Sequence, residues 1–307
     1  MSKLFSKLRY GLNRLKSELI NEEDYWHVDL TYREKNKFDL TNYHLDFSKK
    51  ANYPFKIIND IPIVNINNID VELVITIISY GIGLIETNAE ENKKKLISIS
   101  NWLIENQSTD GYWKNNYDDK QYNLSSGWDS GMTQGLAISF IIRMKNLNYL
   151  DEAKADIAIE KALIAMLSDK TTTIFNNKKI IEEYGNTNTC VLNGFLFSIM
   201  GLWDYGVYKN DYTLFNQYQS SLRNILDFYK FGFFWSYYDV KGLVASAFYH
   251  KLHINMLKWL NSVNPDRLYS KTIKIWKIGL YFKFVYIFVK AFQKLINLSK
   301  IDTLDTK

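Results

Sequence analysis

The chain has 307 residues, of which 47% are hydrophobic and 16% aromatic, so it is not a largely disordered protein and has room for one large domain or two modest ones. Its formal net charge of +5 suits an acidic polymer or an anionic membrane surface, whereas no motif for binding nucleic acid is present. The single cysteine, Cys190, excludes an internal disulfide framework. Because the N-terminus also lacks a signal-peptide pattern, a cytoplasmic location is predicted.

Residues 1–40 are predicted to form an amphipathic helix followed by a linker. Leucines recur at helical spacing across Leu4–Ile20, with lysines and arginines between them, and a polar segment of mixed charge follows. Tyr43–Phe47 and Phe55–Ile66 are predicted to be extended, the second of them bounded by Pro54 and Pro62.

Helical periodicity dominates the sequence after these extended segments. The predicted helices are Val71–Glu86, Glu90–Glu105, Gly131–Lys145, Asp151–Leu167, Thr189–Tyr205, Tyr212–Tyr229 and Tyr249–Leu260. A β-hairpin is predicted where Thr171–Phe175 and Lys179–Glu183 flank two asparagines, and Phe233–Val240 is a further β-prone run. Paired helices with a few short strands at one rim predict a mainly α fold, an incomplete (α/α) barrel (toroid) over residues 41–276, with its cleft formed by loops.

Residues 277–307 are predicted to be a basic amphipathic tail. Lys271–Leu298 is compatible with a long helix, but Lys283 and Lys290 interrupt its apolar centre, so a transmembrane span is not predicted. Aromatic residues beside lysines favour an interfacial helix, peripheral on the inner face of an anionic membrane. The alternative is a terminal helix that packs against the domain or against the second subunit of a homodimer.

A glycine-rich run, Gly127–Gly135, is the first candidate for a functional segment. Glycines at a helix start permit close approach of an anion to free N–H groups. Trp128 is a candidate for stacking on a sugar ring, and Gln134 is a second candidate for substrate binding. Taken alone, the run is better explained as a tight loop and helix cap.

The predicted hairpin ends in a second candidate segment, Glu182-Glu183-Tyr184. A carboxylate beside a phenol forms an acid–base pair in many active sites, and Asn193, shortly afterwards, is a candidate substrate contact. Most adjacent Glu-Tyr pairs are surface residues, so this pattern by itself is a weak signal.

The third segment contains Tyr238 and Lys241, then Tyr249, His250 and His253. The two histidines are three residues apart and share one face of the predicted helix, but no third ligand of suitable spacing is nearby, so no metal is predicted. An aromatic and imidazole cluster that binds and protonates an acidic sugar is the preferred interpretation.

Three blocks of the sequence, in this order, resemble the C-terminal catalytic domain of the D-glucuronyl C5-epimerases, which convert glucuronate to iduronate in heparan-type polymers. The blocks are GWDSGMTQGLAIS, EEYGNTNTCVLNGFLFSIMGLWDY and YYDVKGLVASAFYHKLHINML, with YHLDF at residues 43–47 upstream of them. The resemblance extends from Tyr43 to Trp276. It implies that Glu183 and Tyr184 occupy the acidic and phenolic catalytic positions, with Tyr238 and Tyr249 at two further catalytic tyrosines.

The sequence departs from the family pattern at two basic positions. Lys241 and Ser246 stand where the family usually has arginine, and the loop between Tyr238 and Tyr249 is shorter than in the animal enzymes. The polymer and its sulfation therefore do not follow from the resemblance.

The implied reaction inverts C5 of a uronate residue, removing a proton from one face and adding one to the other. That proton is α to a carboxylate, so the site must offset additional negative charge and supply a base and an acid, and no cofactor is needed. Tyr184 or Glu183 is expected to serve one face and Tyr249 the other. The remaining candidates position the sugar or stabilise the enediolate: Tyr238, Lys241, His250 and His253.

Three other classes of function fit less well. A polysaccharide lyase shares the proton abstraction but expels the 4-O substituent by β-elimination. A non-catalytic, membrane-associated glycan-binding protein keeps the aromatic surface without needing Tyr184 and Tyr249. A glycoside hydrolase needs a pair of carboxylates that the sequence does not present. The favoured prediction is an epimerase of a glucuronate-containing, heparosan-like capsular or envelope polysaccharide.

Overall fold

The computed structural model describes Tyr25, residues 27–66 and residues 68–283. The amphipathic helix predicted for Leu4–Ile20 and the tail from residue 284 to 307 lie outside the described residues. The described part of the chain is mainly helical, with a few short antiparallel strands.

The helices begin upstream of the glycine-rich run and continue to the end of the described residues. They are α1 (Ser48–Ala51), α2 (Val74–Asn88), α3 (Lys93–Asn106), α4 (Gly131–Asn146), α5 (Glu152–Met166), α6 (Leu192–Lys209), α7 (Thr213–Ile225), α8 (Ala247–Val263) and α9 (Arg267–Gly279). Two 3-10 turns extend α7 and α9, at Leu226–Tyr229 and Leu280–Phe282.

Helices α4 and α6 form the centre of the core. Almost every residue of both helices is buried, as expected for helices that are apolar on all sides. They pack against each other, with α2, α3 and α5 beside α4, and α7 and α8 beside α6. Both helices begin at the end of the same hairpin, because the N–H of Gly131 donates to the carbonyl of Glu182 at 2.9 Å and Gly194 contacts Glu183.

Serine side chains fix where α4 and α8 begin. The Oγ atom of Ser130 accepts a hydrogen bond from the N–H of Thr133, and Oγ of Ser246 accepts one from Tyr249, both at 3.2 Å. Such caps satisfy backbone donors that have no partner within the helix. The second cap therefore sets the position of Tyr249 in the first turn of α8.

In the part of the chain that the structure describes, the strands form four small antiparallel sheets. They are β1 (Thr31–Tyr32) with β2 (Leu45–Asp46); β3 (Lys56–Ile58), β4 (Ile61–Ile66) and β5 (Ile69–Val71); β6 (Thr172–Phe175) with β7 (Lys178–Ile181); and β8 (Lys230–Phe231) with β9 (Trp235–Ser236). The β6–β7 hairpin turns at Asn176 and Asn177, which both have positive φ, so the predicted turn is present.

A buried charged cluster joins the segment before α1 to the central helices. Asp204 of α6 accepts hydrogen bonds from Nη1 of Arg143, on α4, and from Nε2 of His44, both at 2.7 Å. Nη2 of Arg143 also donates to the carbonyl of Asn42 at 2.9 Å. Although burial opposes ionisation, Arg143 and His44 hold the pKa of Asp204 well below its usual value.

The predicted helices correspond to α2–α8, with shifted ends. Val71 lies in β5 instead of starting a helix, and the helix predicted to reach Tyr229 changes to a 3-10 turn after Ile225. The β-prone run Phe233–Val240 contains only the two-residue strand β9. Within the stretch Lys271–Leu298, for which the sequence favours an interfacial helix, Trp276 faces the core at 1% exposure instead of a membrane. No helix in the described ranges is long and apolar enough to cross a membrane.

Candidate active site

The β6–β7 hairpin places Glu183 and Tyr184 at the N-termini of α4 and α6. The N–H of Gly185 donates to the carbonyl of Asp129 at 3.0 Å, just before α4. On the other side, the N–H of Leu192 donates to the carbonyl of Tyr238 at 2.9 Å, which brings in the segment that leads to α8. Three segments that are distant in sequence therefore meet around Glu183.

The Glu183 carboxyl group lies at the centre of this cluster and is 5% exposed. Nδ2 of Asn193 donates a hydrogen bond to its Oε2 at 3.0 Å, and the phenols of Tyr184 and Tyr238 act as donors toward the carboxyl group, each lowering its pKa. Burial raises the pKa of Glu183 to about 7, with a smaller contribution from the charge of Asp119, although the three donors oppose this rise. A carboxyl group with such a pKa exchanges a proton near neutral pH.

Tyr184 and Tyr238, the two tyrosines beside Glu183, are held as neutral phenols. Burial, followed by the charge of Glu183, raises the pKa of both Tyr184 and Tyr238 well above the usual value. A phenol in this environment gives up its proton only when a base accepts it directly. Glu183 and these two phenols act on each other's pKa, and the carboxylate of Glu183 is the candidate for that base.

Helix α6 can approach Glu183 because residue 194 is glycine. A Cβ atom on Gly194 would lie 2.4 Å from Cβ and 2.6 Å from Oε2 of Glu183. Neither distance is compatible with van der Waals contact. The close approach of α6 in turn brings Asn193 within hydrogen-bonding distance of the carboxyl group.

Aromatic rings from the loop at residues 115–128 cover Tyr184. The ring of Tyr122 stacks on Tyr184 with centroids 3.9 Å apart, and Trp128 lies 5.4 Å from Tyr184. The rings of Tyr117 and Trp128 meet edge to face. Nε1 of Trp128 also donates a hydrogen bond to the backbone carbonyl of Tyr117 at 3.1 Å. These rings are half-buried, so they present faces on which a sugar ring can stack.

Tyr249 completes the cluster from the first turn of α8. Its ring contacts Tyr238 edge to face, with centroids 4.8 Å apart, and it contacts His27 in the same way at 5.7 Å. Tyr249 therefore approaches Tyr238 from α8, whereas Tyr184 reaches the Glu183 carboxyl group from the β6–β7 hairpin.

Three of the predicted substrate-binding residues lie in the core instead. Gln134, His250 and His253 are 0% exposed. His250 bonds through Nδ1 to Oγ of Ser236 at 2.9 Å and through Nε2 to the carbonyl of Trp276 at 3.0 Å, and burial lowers its pKa to about 4. Side chains enclosed in this way offer no surface to a sugar, and the structure does not bring them to the cluster.

Lys241 lies at the edge of the cluster. Its side chain is exposed, and Nζ donates to the carbonyl of Thr187 at 3.0 Å, in the loop that follows Tyr184. The ammonium group also acts electrostatically on Glu182 and Asp239, lowering the pKa of each against the stronger effect of burial. Of the predicted binding residues, Trp128 and Asn193 are at the cluster and Lys241 is beside it.

The family described as D-glucuronyl C5-epimerase C-terminus matches residues 106–278, which is more than half of the chain. The chain belongs to this family. It is 28% identical over 218 residues to the D-glucuronyl C5-epimerase of Caenorhabditis elegans, an alignment that covers 61% of this chain and 35% of that protein. It is also 29% identical over 180 residues to an uncharacterized protein of Methanocaldococcus jannaschii, covering 54% of this chain and 56% of that one. The alignments thus span less than two thirds of either relative.

The region that matches the epimerase family includes every member of the cluster except His27. Sequence reasoning missed His27, Tyr117 and Tyr122, as well as Asp119, which acts electrostatically on Glu183. Two tyrosines within one short loop beside the glycine-rich run were the available signal. Across the described residues, no group of three or more His, Cys, Asp or Glu side chains is arranged to hold a metal ion.

Proposed function

We propose that this member of the D-glucuronyl C5-epimerase family inverts C5 of D-glucuronate residues within a polysaccharide, giving L-iduronate. The observation that carries the proposal is the buried Glu183 carboxyl group, whose pKa is about 7, which accepts a hydrogen bond from Asn193 and on which the phenols of Tyr184 and Tyr238 act. Epimerisation needs proton donors and acceptors that change state near neutral pH, and this arrangement provides them without a cofactor.

Glu183 supplies the base on one side of the sugar. As a phenol takes the C5 proton, its own hydroxyl proton passes to the carboxylate, so that no free phenolate accumulates in a site that disfavours one. Tyr184 is the proton carrier of this side, Tyr238 positions the sugar, and Tyr249 returns a proton to the opposite face. The net result is inversion at C5, which leaves Glu183 protonated and Tyr249 deprotonated, and proton exchange with solvent restores both groups before the next turnover.

Helix N-termini offset the negative charge that develops on the uronate carboxylate. The first turns of α4, α6 and α8 all meet the cluster, through the contacts of Glu182, Glu183 and Tyr249. The N-terminal end of a helix is electropositive and stabilises anions. Trp128 and Tyr122 provide ring faces for sugars of the polymer, and Lys241 is the nearby cation for a carboxylate.

The helices support an incomplete (α/α) barrel as the architecture that holds this site. Helices α4 and α6 are buried on all sides and lie inside a layer formed by α2, α3, α5, α7 and α8, while loops of one end carry the candidate residues. The substrate we propose is a heparosan-like capsular or envelope polysaccharide, modified on the cytoplasmic side of a membrane. Support for this setting comes from the family and from the basic character of the chain.

Proton NMR of heparosan and other glucuronate polymers incubated with the protein in deuterium oxide tests the proposal. Deuterium at C5 together with iduronate signals is the expected result. Tyr249→Phe is expected to abolish iduronate formation, whereas Tyr205→Phe, at the far end of α6 where the hydroxyl bonds to Glu160, is the matched control and should remain active.

The same spectra separate the rival functions. Unsaturated chain ends without iduronate would identify a lyase, because β-elimination follows the same proton abstraction. Absence of exchange on every polymer, with binding retained, would contradict catalysis and indicate a glycan-binding protein. Full activity of Tyr249→Phe would refute the role of Tyr249.

A further inference from the structure

The turn between β8 and β9 exposes aromatic side chains to solvent. Phe233, at the tip of this hairpin, is 90% exposed. Large apolar side chains that are exposed singly are ordinary, whereas an exposed cluster of them usually marks a binding surface.

The last turn of α9 extends this exposed surface. A Cβ atom on Gly279 would lie 2.0 Å from the carbonyl oxygen of Phe234, so the hairpin rests directly on the helix backbone. The ring of Phe234 contacts Phe282 with centroids 5.8 Å apart. Tyr281 beside it is 81% exposed, and Ile278 is 54% exposed. We call these residues the aromatic tip: Phe233, Phe234, Ile278, Tyr281 and Phe282.

Lysines surround the aromatic tip, and no acidic residue is interspersed among them. Lys271, Lys274 and Lys277 occupy the exposed face of α9 and Lys283 follows it, whereas residues 267–283 contain no Asp or Glu. None of these lysines forms an ion pair within the described part of the chain. Lys277 also lowers the pKa of Lys258 on α8, second to the effect of burial, so the two ammonium groups lie close enough to repel each other.

We propose that the aromatic tip and the lysines of α9 form a docking surface for an anionic lipid membrane. Aromatic and aliphatic side chains beside lysines are the composition of surfaces that enter the headgroup region of a bilayer, where the rings leave water and the ammonium groups meet lipid phosphates. The proposal rests on exposure and charge, and it is independent of the reaction at Glu183.

Charge argues against a second copy of the chain as the occupant. A symmetric dimer through this face would bring two rows of lysines together without a carboxylate on either side, and like charges in contact oppose association. A soluble acidic polymer would pair with the lysines, but it offers no apolar layer for Phe233 and Ile278. An anionic bilayer matches both parts of the surface.

The surface lies close to the candidate active site. Phe233 and Tyr238 are five residues apart, and an extended chain of that length reaches about 18 Å at most. A protein held by the aromatic tip would therefore keep the Cα atom of Tyr238 within that distance of the Cα atom of Phe233.

Vesicle flotation with the full chain tests the proposal. The unchanged protein is expected to float with vesicles of phosphatidylglycerol and phosphatidylcholine and to remain unbound with phosphatidylcholine alone. Phe233→Ser combined with Tyr281→Ser should weaken binding roughly tenfold or more, because both rings are lost from the interface. Ile69→Ser combined with Ile164→Ser, which removes two side chains of 64% and 70% exposure elsewhere, is the matched control.

A charge-reversal pair tests the second half of the surface. Lys274→Glu combined with Lys277→Glu should also abolish binding to the anionic vesicles, whereas Lys94→Glu combined with Lys95→Glu, on the exposed side of α3, should not. Circular dichroism would verify that each variant is folded.

Three results would overturn the proposal. The first is unchanged flotation of both folded tip and lysine variants, which would place any lipid contact elsewhere in the chain. The second is a dimer of the unchanged protein, detected by light scattering, that becomes a monomer when Phe233 and Tyr281 are substituted. The third is that the tip and lysine variants bind vesicles as the unchanged protein does but no longer turn over soluble polymer. That result would identify the surface as a polymer-binding one.

Discussion

The burial of Glu183 links the chemistry of the site to the stability of the fold. Its pKa rises from a model-compound value of 4.5 to about 7 in the folded protein. Between these values the folded state binds more protons than the unfolded state, so the free energy of unfolding falls as the pH increases through this window. Above about pH 7 the carboxylate is ionised in both states, and its destabilising effect no longer changes.

Replacement of this carboxyl group by an amide should separate stability from activity. We expect Glu183→Gln to raise the free energy of unfolding by about 1 to 3 kcal/mol at about pH 8 and to leave it nearly unchanged at about pH 4, while C5 exchange is lost. Urea unfolding at both pH values measures the effect. Glu91→Gln, at an exposed position, is the control and should show no such pH dependence. Equal changes at both pH values would contradict a buried, ionised Glu183.

Gly194 provides a second test at the level of a single residue. An added methyl group would collide with Glu183, so Gly194→Ala should displace the carboxyl group from Asn193 and reduce kcat by roughly a hundredfold. In the same helix, a Cβ on Gly206 would lie 2.9 Å from Cδ1 of Tyr212 and 3.1 Å from the carbonyl oxygen of Asp211, and it would not touch Glu183, so Gly206→Ala should keep kcat. If the Gly194→Ala variant had a normal kcat, the reaction would not depend on the exact position of the Glu183 carboxyl group.

The catalytic candidates that were found from the sequence all lie in contiguous blocks of the chain. Glu183 and Tyr184 adjoin in the chain, and their block could be compared directly with a family pattern. His27 contacts Tyr249 across more than two hundred residues, and nothing in its own neighbourhood indicates that contact. His250 and His253 show the opposite error, because a pair with suitable spacing proved to be packed against Ser236 and Trp276.

At the level of structural elements, the loop at residues 115–128 determines how Tyr184 is covered. Backbone bridges join Asn115 to Trp128 and Asp119 to Leu124, so the loop folds back on itself as an irregular hairpin. Tyr122 lies in its turn and reaches Tyr184 from there. The loop thus covers Tyr184 with aromatic rings without contributing to the helical core.

Removal of the Tyr122 ring should weaken substrate binding more than it affects the fold. A stacked aromatic pair contributes about 0.5–1.5 kcal/mol, so Tyr122→Ala should lower kcat/KM by about two- to tenfold, with most of the change in KM. Tyr122→Phe retains the ring and is expected to behave as the unchanged protein. Deuterium exchange kinetics on a glucuronate polymer give both constants. An effect confined to kcat would instead point to a role for the hydroxyl group in proton transfer.

Helices were predictable from the sequence because their apolar period extends over many residues, whereas three of the nine described strands, β1, β5 and β8, were not predicted. The pairs β1–β2 and β8–β9 have two residues per strand, too few to show an alternating pattern. Val71 illustrates the boundary problem, because its side chain fits the period of α2 although its backbone pairs with Val64 in the sheet. Such pairings depend on contacts that a local pattern does not contain.

At the scale of the whole molecule, the buried cluster around Asp204 holds the fold together across its length. It joins His44, which precedes α1, to Arg143 at the end of α4 and to α6. All three side chains are 1% exposed or less. Removing one member of a buried ion pair leaves the other charge without compensation, which is far more costly than the loss of an exposed pair.

Asp204→Asn should therefore lower the free energy of unfolding by about 3–5 kcal/mol, because Arg143 remains buried with its charge uncompensated. Asp156→Asn removes the carboxylate that pairs with Lys145 at 2.8 Å and is 38% exposed, so it should cost less than about 1 kcal/mol. Urea unfolding compares the two variants. Hydrogen exchange should show the largest loss of protection in residues 27–47, because His44 and the carbonyl of Asn42 bind to the cluster there. If residues 27–47 lost protection from hydrogen exchange to a similar extent in both variants, the cluster around Asp204 would not anchor this segment.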